Sequence, residues 1–147
     1  FEETLTKEVS RSDTTGYPLS LIALQIDYFP QIKDLQGQLV ASEILTELSK
    51  VLGNMVRAGD TVYYDGHDQF YLLLPFTPSE GVMVIAERVR RHAEESTWPV
   101  VDSLSVSLGC TTLVTEHSSS KELIACANHA LVDAQKKGHN KVTHSDT

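Results

Sequence analysis

Hydrophobic residues follow two different spacings in the first third of the chain. A mainly apolar run at residues 19–26, bounded by Gly16, Pro18 and Asp27, is typical of a buried strand. Residues 38–55 instead place apolar side chains three and four positions apart, as on one face of an amphipathic helix. The chain is therefore predicted to pass from a strand into a helix.

The middle of the chain predicts a hairpin. Residues 61–64 and 70–74 are short aromatic and aliphatic strands. The Asp65-Gly66 step lies between them, and an Asp-Gly step between two such strands indicates a turn. The tip of this hairpin also carries polar residues that are unusual for a simple turn.

Two further helices are predicted from capping boxes, in which a polar residue is followed three positions later by Glu. Residues 77–80 mark the start of a helix that runs to about residue 95. Residues 119–122 mark the start of another helix, which Gly138 ends. Apolar residues recur at helical spacing in both segments, so each helix has a face to bury.

The order of these elements predicts the fold class. A further strand is expected at residues 104–114 and a short last strand at 141–143. After a short N-terminal helix the order is strand, helix, hairpin, helix, strand, helix. This is the split, ferredoxin-like α+β arrangement, for which we expect helices on one face of a mostly antiparallel sheet in a single domain covering residues 1–147.

Composition narrows the classes of function. The 147 residues carry 12 Lys and Arg against 20 Asp and Glu, a net charge of −8, and 41% are apolar. This balance fits a folded domain and disfavours a nucleic acid polymer as partner, because such binding needs many cations. The longest apolar runs are far shorter than the roughly 20 residues that span a bilayer. We therefore expect neither nucleic acid binding nor membrane contact by this domain.

Cysteine and histidine usage gives no sign of a metal site. Cys110 and Cys126 form no Cys-x-x-Cys pair, and the six histidines lack the His-Glu-x-x-His spacing. We expect a reducing, cytoplasmic setting. Because the sequence starts at Phe1 without an initiator Met, we also expect a piece of a longer protein that could itself be membrane-anchored.

Four segments, taken in order, resemble one known family. They are Ile-Asp-Tyr-Phe at 26–29, Gly-His-Asp-Gln-Phe at 66–70, Leu-Ser-Val-Ser-Leu-Gly at 104–109 and Ala-Gln-Lys-Lys-Gly-His-Asn-Lys-Val at 134–142. Together they resemble the GGDEF domain of diguanylate cyclases. The resemblance implies a nucleotide-cyclase palm fold, with a mostly antiparallel central sheet and flanking helices. It also implies an ancestral activity that makes cyclic di-GMP from two GTP molecules with two metal ions.

The signature loop departs from the family at its metal-binding positions. Gly66 and Asp68 are retained, but the second glycine of the signature is His67 and the last acid is Gln69. The companion metal-binding aspartate corresponds to Gln25. Since Mg²⁺ asks for hard anionic oxygen ligands, we expect this site to hold no metal or other cofactor.

The other subsites of GTP turnover are also altered. The guanine-recognising positions correspond to Lys33 and Ser42, and the phosphate-gripping positions to Gln135 and His139, while Asp27 is retained beside them. Neither Lys33 nor Ser42 can accept the guanine N–H groups as a carboxylate does. Gln135 and His139 replace the ammonium and the guanidinium that the resemblance implies. The resemblance therefore predicts a catalytically inactive domain without catalytic residues.

A second site of the family is retained. Arg57 and Asp60 match the Arg-x-x-Asp of the product-inhibition site, and Arg88 matches its second arginine. The two arginines are expected to clamp phosphate and the guanine edge, and the carboxylate to accept from guanine N–H groups. The neighbouring Arg90 and Arg91 are expected on a solvated helix face.

Each of these residues also has a purely structural interpretation. Arg57 and Asp60 could form a loop ion pair, which is worth little on a surface. Asp68 could stabilise the hairpin tip, Asp27 could cap the following turn, and His67 could be an exposed turn residue.

Three functions follow from these observations. The preferred hypothesis is an inactive receptor for cyclic di-GMP that acts through a homodimer or a neighbouring domain. The second is a ligand-free dimerisation or docking module in a cyclic di-GMP signalling protein. The third is a residual enzyme that uses Asp68 in a remodelled site.

Overall fold

The computed structural model describes residues 1–113 and 119–146. Within these ranges, no helix is both long and apolar enough to cross a membrane. The elements are α1 (Glu2–Thr15), β1 (Leu19–Ile26), α2 (Phe29–Gln36), α3 (Gln38–Met55), β2 (Thr61–Tyr64), β3 (Gln69–Pro75), α4 (Ser79–Glu95), β4 (Val106–Thr112), α5 (Ser120–Lys136) and β5 (Val142–Asp146).

The strands form one sheet with β1 at its centre. The order is β2-β3-β1-β4-β5, and only the β4–β5 pair is parallel. Ile22 of β1 lies opposite Leu72 of β3 on one side and Cys110 of β4 on the other. The predicted α+β fold with a mostly antiparallel sheet is confirmed.

Helices cover both faces of the sheet, so the expectation of helices on one face is wrong. Alternate β1 residues such as Ile22 and Leu24 pack with α3 and α4, whereas Leu21 and Ala23 pack with α1 and α5. A strand covered on both faces needs apolar residues at consecutive positions. The four consecutive apolar residues 21–24 in β1 are the sequence signal for this arrangement.

Gly109 allows α5 to lie directly on the sheet. A Cβ atom at Gly109 would lie 2.1 Å from the backbone N of Leu131 and 2.3 Å from the carbonyl O of Ala127. No side chain fits at those distances, and the neighbouring atoms are helix backbone that cannot move aside. This close approach brings the C-terminal turn of α5 towards the end of β1.

Most predicted bounds are confirmed, but α2 was not predicted. This eight-residue helix starts directly after Tyr28, whose φ of 56° lies in the left-handed region. The strand predicted at 104–114 is observed at Val106–Thr112, and residue 114 lies outside the described residues. The last strand is longer than the predicted 141–143.

One of the two predicted capping boxes is wrong. Ser119 Oγ accepts from the backbone N–H of Glu122, as predicted. At α4, however, the N-cap is Pro78, and no side chain caps the helix. Thr77 Oγ1 donates instead to Pro75 O at 3.1 Å and accepts from Arg57 Nη2 at 2.7 Å. This threonine therefore belongs to the surroundings of Arg57.

Candidate functional site

Side-chain amides link the residues that correspond to the family's metal site. Gln25 Nε2 donates to Asp68 Oδ2 at 2.6 Å, and Gln135 Nε2 donates to Gln25 Oε1 at 2.5 Å. These three residues come from the end of β1, the hairpin tip and the last turns of α5. We call this hydrogen-bonded chain, Gln25, Asp68 and Gln135, the amide chain.

Asp65 organises the hairpin tip. Its Oδ1 accepts from the backbone N–H groups of His67, Asp68 and Gln69 at 2.8 to 3.2 Å. Gly66 has a φ of 88°, which glycine adopts without strain. Asp65 thus orders the turn itself, and Asp68 ties the tip to the end of β1 through Gln25. His67 is exposed as predicted.

Gln69, the signature residue directly before Phe70, forms its side-chain hydrogen bond with α5 and not with the amide chain. Its Nε2 donates to Asn128 Oδ1 at 2.8 Å, and Asn128 Nδ2 donates to the hydroxyl of Tyr71 at 3.1 Å. This side chain therefore links β3 to α5.

Asp27 ties together three segments of the backbone. Its carboxylate is buried, at 4% exposure, and accepts from Ser105 Oγ at 2.6 Å, Ser107 Oγ at 2.7 Å and the backbone N–H of Asn140 at 2.8 Å. These bonds join the end of β1 to the start of β4 and to the loop after α5. The expectation that Asp27 caps the following turn is therefore wrong.

The former guanine and phosphate positions offer no carboxylate or guanidinium. Lys33 and Ser42 are exposed on α2 and α3. The His139 ring packs against that of Tyr28 with centroids 4.5 Å apart and planes inclined by 32°, and Tyr28 Oη lies 3.3 Å from His139 Nδ1. Both residues have a positive φ, and their contact joins the start of α2 to the loop after α5.

The residues present do not fit the metal ions that the family implies. Asp68 is the one carboxylate of the amide chain, and its Oδ2 accepts from the Gln25 amide. Over residues 1–113 and 119–146 the structure has no group of three His, Cys, Asp or Glu side chains that could hold a metal ion. Mg²⁺ prefers anionic oxygen atoms in near-octahedral geometry, and the amide chain provides a single charge.

A different cluster surrounds Arg57 in the loop between α3 and β2. Its Nη2 lies 3.1 Å from Asp60 Oδ1 and 2.7 Å from Pro75 O, and its Nε lies 3.3 Å from Asp60 Oδ2. The Arg57 backbone N–H also donates to Asp60 Oδ2 at 2.8 Å. The predicted proximity of Arg57 and Asp60 is thus present in the structure.

The two members of this pair differ in exposure. The Asp60 side chain is 2% exposed, whereas that of Arg57 is 56% exposed. Both Asp60 oxygens already accept from Arg57, so this geometry does not support the expected contact between Asp60 and guanine N–H groups. In this structure the carboxylate orients the guanidinium, and Arg57 is the group that reaches solvent.

Arg57 lines a cavity of about 770 Å³ that also contains Arg11, Tyr17 and Phe76. We call this cavity the arginine pocket. The sequence reasoning missed these three residues, because α1 and the residue after β3 lie far from Arg57 along the chain. The Arg-x-x-Asp motif predicted only the residues that line one side of the pocket. The residues on its other sides come together only through the tertiary fold.

Arg88 does not join the arginine pocket. It lines a separate cleft of about 720 Å³ between α4 and β5, together with Arg91, Glu95 and Val142. The structure therefore does not bring the three predicted ligand-binding residues together within one copy of the chain.

Arg90 is not on a solvated helix face, and that expectation is wrong. Its side chain is 17% exposed and contacts Glu87, Glu94 at 2.7 Å and Asn140 Oδ1 at 3.0 Å. The hydrogen bonds that Arg90 donates to Glu87 and Glu94 lower the pKa values of both carboxyl groups and raise the pKa of Arg90. Arg90 thus fastens α4 to the loop after α5.

Comparison with known proteins assigns the family. Residues 1–141 match the family model described as diguanylate cyclase, GGDEF domain. The diguanylate cyclase DosC of Escherichia coli K12 is 30% identical over 140 residues, which are 92% of this chain and 30% of that protein. The response regulator PleD of Caulobacter vibrioides is 29% identical over 139 residues, 91% of this chain and 31% of PleD. The chain thus spans about a third of the length of these relatives.

Solved structures agree with this assignment. The active GGEEF domain of a diguanylate cyclase from Vibrio cholerae superposes with a TM-score of 0.93 at 21% identity, covering 99% of this chain and 94% of that one. The GGDEF domain of DgcB from Caulobacter crescentus, solved in complex with cyclic di-GMP, gives 0.92 at 19% identity, covering 98% and 85%. The chain belongs to the GGDEF domain family of diguanylate cyclases, and its fold is that of the solved GGDEF domains.

Proposed function

We propose that this chain is a catalytically inactive GGDEF domain that binds cyclic di-GMP in the arginine pocket. The observation that carries the proposal is the state of Arg57. Asp60, Pro75 and Thr77 fix its guanidinium from one side, yet the side chain remains 56% exposed and lines a cavity. A fixed and exposed guanidinium is suited to a phosphate, which it can bind through parallel charge-assisted hydrogen bonds.

The charges of the pocket favour an anionic ligand despite the overall charge of −8. Its two carboxylates, Glu8 and Asp60, are paired with Arg11 at 3.3 Å and with Arg57 at 3.1 Å. The Arg11 side chain is 69% exposed, so it offers a second cation near Arg57. Cyclic di-GMP carries two phosphates on one small ring, and two neighbouring guanidinium groups complement that arrangement.

The proposed inactivity follows from the amide chain. Phosphoryl transfer from GTP needs metal ions against the phosphates, and only Asp68 among the three linked side chains is charged. Lys33 and Ser42 provide no carboxylate for guanine. We expect incubation of the chain with GTP and Mg²⁺ or Mn²⁺ to yield no cyclic dinucleotide, with the active Vibrio cholerae domain as the positive control. Any product would support the residual enzyme instead.

Arg88 enters the proposal through a second copy of the chain. Because Arg88 lies in its own cleft, a ligand held at Arg57 of one copy would meet Arg88 of another. Cyclic di-GMP is then expected to convert monomers to dimers, as sedimentation analysis would show. The Arg88→Ala variant should bind the ligand and remain monomeric, and a dimer of that variant would remove Arg88 from the proposal.

Calorimetric titration with cyclic di-GMP tests the receptor function directly. Wild type should bind, and Arg57→Ala should bind about 10- to 100-fold more weakly. The affinity of Arg57→Lys should lie between them, because lysine keeps the charge but lacks the planar guanidinium that binds phosphate through two parallel hydrogen bonds. Lys50→Ala, an exposed cation on α3, is the matched control and should bind like wild type. If wild type gives neither heat nor a thermal shift with cyclic di-GMP, the receptor function is wrong and the ligand-free docking module replaces it.

A further inference from the structure

An exposed aromatic ring forms one wall of the arginine pocket. Phe76 follows the last residue of β3 and is 65% exposed. Its ring packs on that of Tyr17, with centroids 4.2 Å apart and planes inclined by 31°. A single exposed hydrophobic residue is ordinary on a protein surface. This one is informative because it lines the same cavity as Arg57 and Arg11.

Tyr17 packs against the Phe76 ring and is itself held in place by hydrogen bonds. The Tyr17 hydroxyl lies 3.3 Å from both the carbonyl O and the Oε1 of Glu8, and Glu8 in turn pairs with Arg11. Burial and the neighbouring Glu8 carboxylate raise the pKa of the Tyr17 phenol, so it stays a neutral donor at pH 7. Tyr17 is thereby held against Phe76, and Phe76 remains 65% exposed and accessible to a ligand.

Phe76 has a strained backbone conformation that glycine would adopt without strain. Its φ is 57°, in the left-handed region that a bulky residue enters only at an energetic cost. The strain is not explained by burial, because the side chain is mostly exposed. A strained and exposed aromatic residue in a cavity is a reason to look for a ligand contact.

We propose that Phe76 is a stacking platform for a purine base of the nucleotide whose phosphate binds Arg57 and Arg11. This inference rests on the proposed binding of cyclic di-GMP in the arginine pocket, and it adds how the base is held. The pocket combines an aromatic face with two cations, and purine nucleotides combine a flat π-system with a phosphate. Since the carboxylates of Asp60 and Glu8 are paired with arginines, stacking is the main base contact that the pocket offers.

Variants of Phe76 test the platform by calorimetry with cyclic di-GMP. Phe76→Gly relieves the backbone strain and removes the ring, so it should fold like wild type and bind about 5- to 100-fold more weakly. Phe76→Leu, which keeps an apolar side chain without a π-face, should also bind more weakly. Phe76→Trp should bind at least as tightly as wild type. The matched control is Val100→Gly, since Val100 is likewise exposed, at 67%, with a φ of 63°.

Fluorescence of the Phe76→Trp variant gives a second readout. The chain has one tryptophan, Trp98, which is 4% exposed. An added tryptophan at position 76 would report directly on a base stacked against it, so cyclic di-GMP should change its emission and leave that of wild type nearly unchanged.

The outcomes separate the platform from the receptor function. If Arg57→Ala loses binding while Phe76→Gly and Phe76→Leu bind like wild type, the platform is wrong and the receptor function stands. If wild type binds no cyclic di-GMP, both proposals are wrong.

Discussion

The arginine pocket and the amide chain use the same chemical groups in opposite ways. In the arginine pocket, buried Asp60 is paired with Arg57, and the cation remains exposed. In the amide chain, Gln25 donates to the Asp68 carboxylate and accepts from Gln135, so the polar groups bind one another. A carboxylate that orients a cation leaves a site for an anion, whereas a carboxylate bound by amides leaves little for a metal ion.

Under the proposed function, the contrast explains how the metal site of the signature loop can be lost while the arginine pocket is kept. The amide chain still connects β1, the hairpin and α5, so these residues retain a structural role without a metal. Arg57 contacts Pro75 O and Thr77 Oγ1, so the arginine pocket is anchored to the far end of β3 and does not depend on the signature loop. The two regions can therefore be altered separately.

The largest effect is expected from Asp60→Ala. Removing a buried carboxylate that accepts from Arg57 should lower the free energy of unfolding by about 2 kcal/mol, measured by urea denaturation. Without Asp60, the Arg57 guanidinium is no longer held in place and should bind cyclic di-GMP about 30-fold more weakly. This factor corresponds to a loss of about 2 kcal/mol in binding free energy. Asp60→Asn keeps an acceptor and should lose less on both measures. Wild-type affinity in Asp60→Ala would show that Asp60 does not position Arg57.

Gln25→Asp should turn the amide chain into a site that responds to metal. The second carboxylate would face Asp68 where Gln25 Nε2 now donates at 2.6 Å, so without metal the variant should be about 1–2 kcal/mol less stable than wild type. Mg²⁺ at ten times its dissociation constant would restore about 1.4 kcal/mol.

Thermal unfolding with and without Mg²⁺ checks this prediction. Wild type and Gln36→Asp, which adds the same charge at the exposed end of α2, should show no such response. A wild-type response of equal size would mean that the amide chain already binds the ion.

Arg90→Ala should affect stability but not ligand binding. Arg90 uses Nε, Nη1 and Nη2 for Glu87, Glu94 and Asn140, so, unlike Arg57, it offers little to a ligand. We expect a loss of about 1 kcal/mol at pH 7, since solvent screens the half-exposed carboxylates. Unchanged affinity for cyclic di-GMP would separate Arg90 from Arg57.

The pH dependence of this loss tests whether the carboxylates of Glu87 and Glu94 are the partners, since Arg90 lowers the pKa of both. Arg90 lowers the pKa of Glu87 in the folded state below its ordinary value of 4.5. The stabilisation is therefore complete above about pH 4.5 and disappears as the pH falls through the lowered pKa. Urea midpoints of wild type and Arg90→Ala should differ equally from pH 5 to 8 and converge at lower pH. A difference that stays constant down to pH 2 would assign the effect to packing.

The smallest effect is expected from Gln69→Glu, which restores the family's acid at one signature position. Glutamate cannot donate to Asn128 Oδ1, so the link is kept only if the Asn128 amide reverses and the Tyr71 hydroxyl donates to it instead. We expect a loss of about 0.5–1 kcal/mol and no cyclase activity with GTP and Mg²⁺. Activity in this single variant would mean that Gln69 alone, and not the amide chain, blocks catalysis.

Local periodicity was sufficient for most elements of the fold. The bounds of β1, α3 and β2 were predicted as observed, because each has a strong apolar pattern and a clear end. The placement of helices on two faces and the start of α4 were not predicted correctly. The placement of the helices depends on the side of the sheet on which each helix packs. The start of α4 depends on Arg57, which lies 20 residues before Thr77 and donates a hydrogen bond to its hydroxyl.

The candidate site was predictable only in part. Register within a family motif located Arg57 and Asp60, but it could not reveal that Asp60 is buried or that Arg88 lies in another cleft. Arg11, Tyr17 and Phe76 were missed, since nothing in their local sequence marks them and Tyr17 meets Phe76 only through the tertiary fold.

Amide chemical-shift mapping by NMR with cyclic di-GMP tests the central claim most directly, because it reports on both regions in one titration. We predict that the ligand shifts resonances of the arginine pocket, at residues 11, 17, 57–60 and 75–77, and leaves those of residues 25, 66–69 and 135 unchanged. Shifts confined to residues 25, 66–69 and 135 would place the ligand at the former cyclase site and contradict the claim.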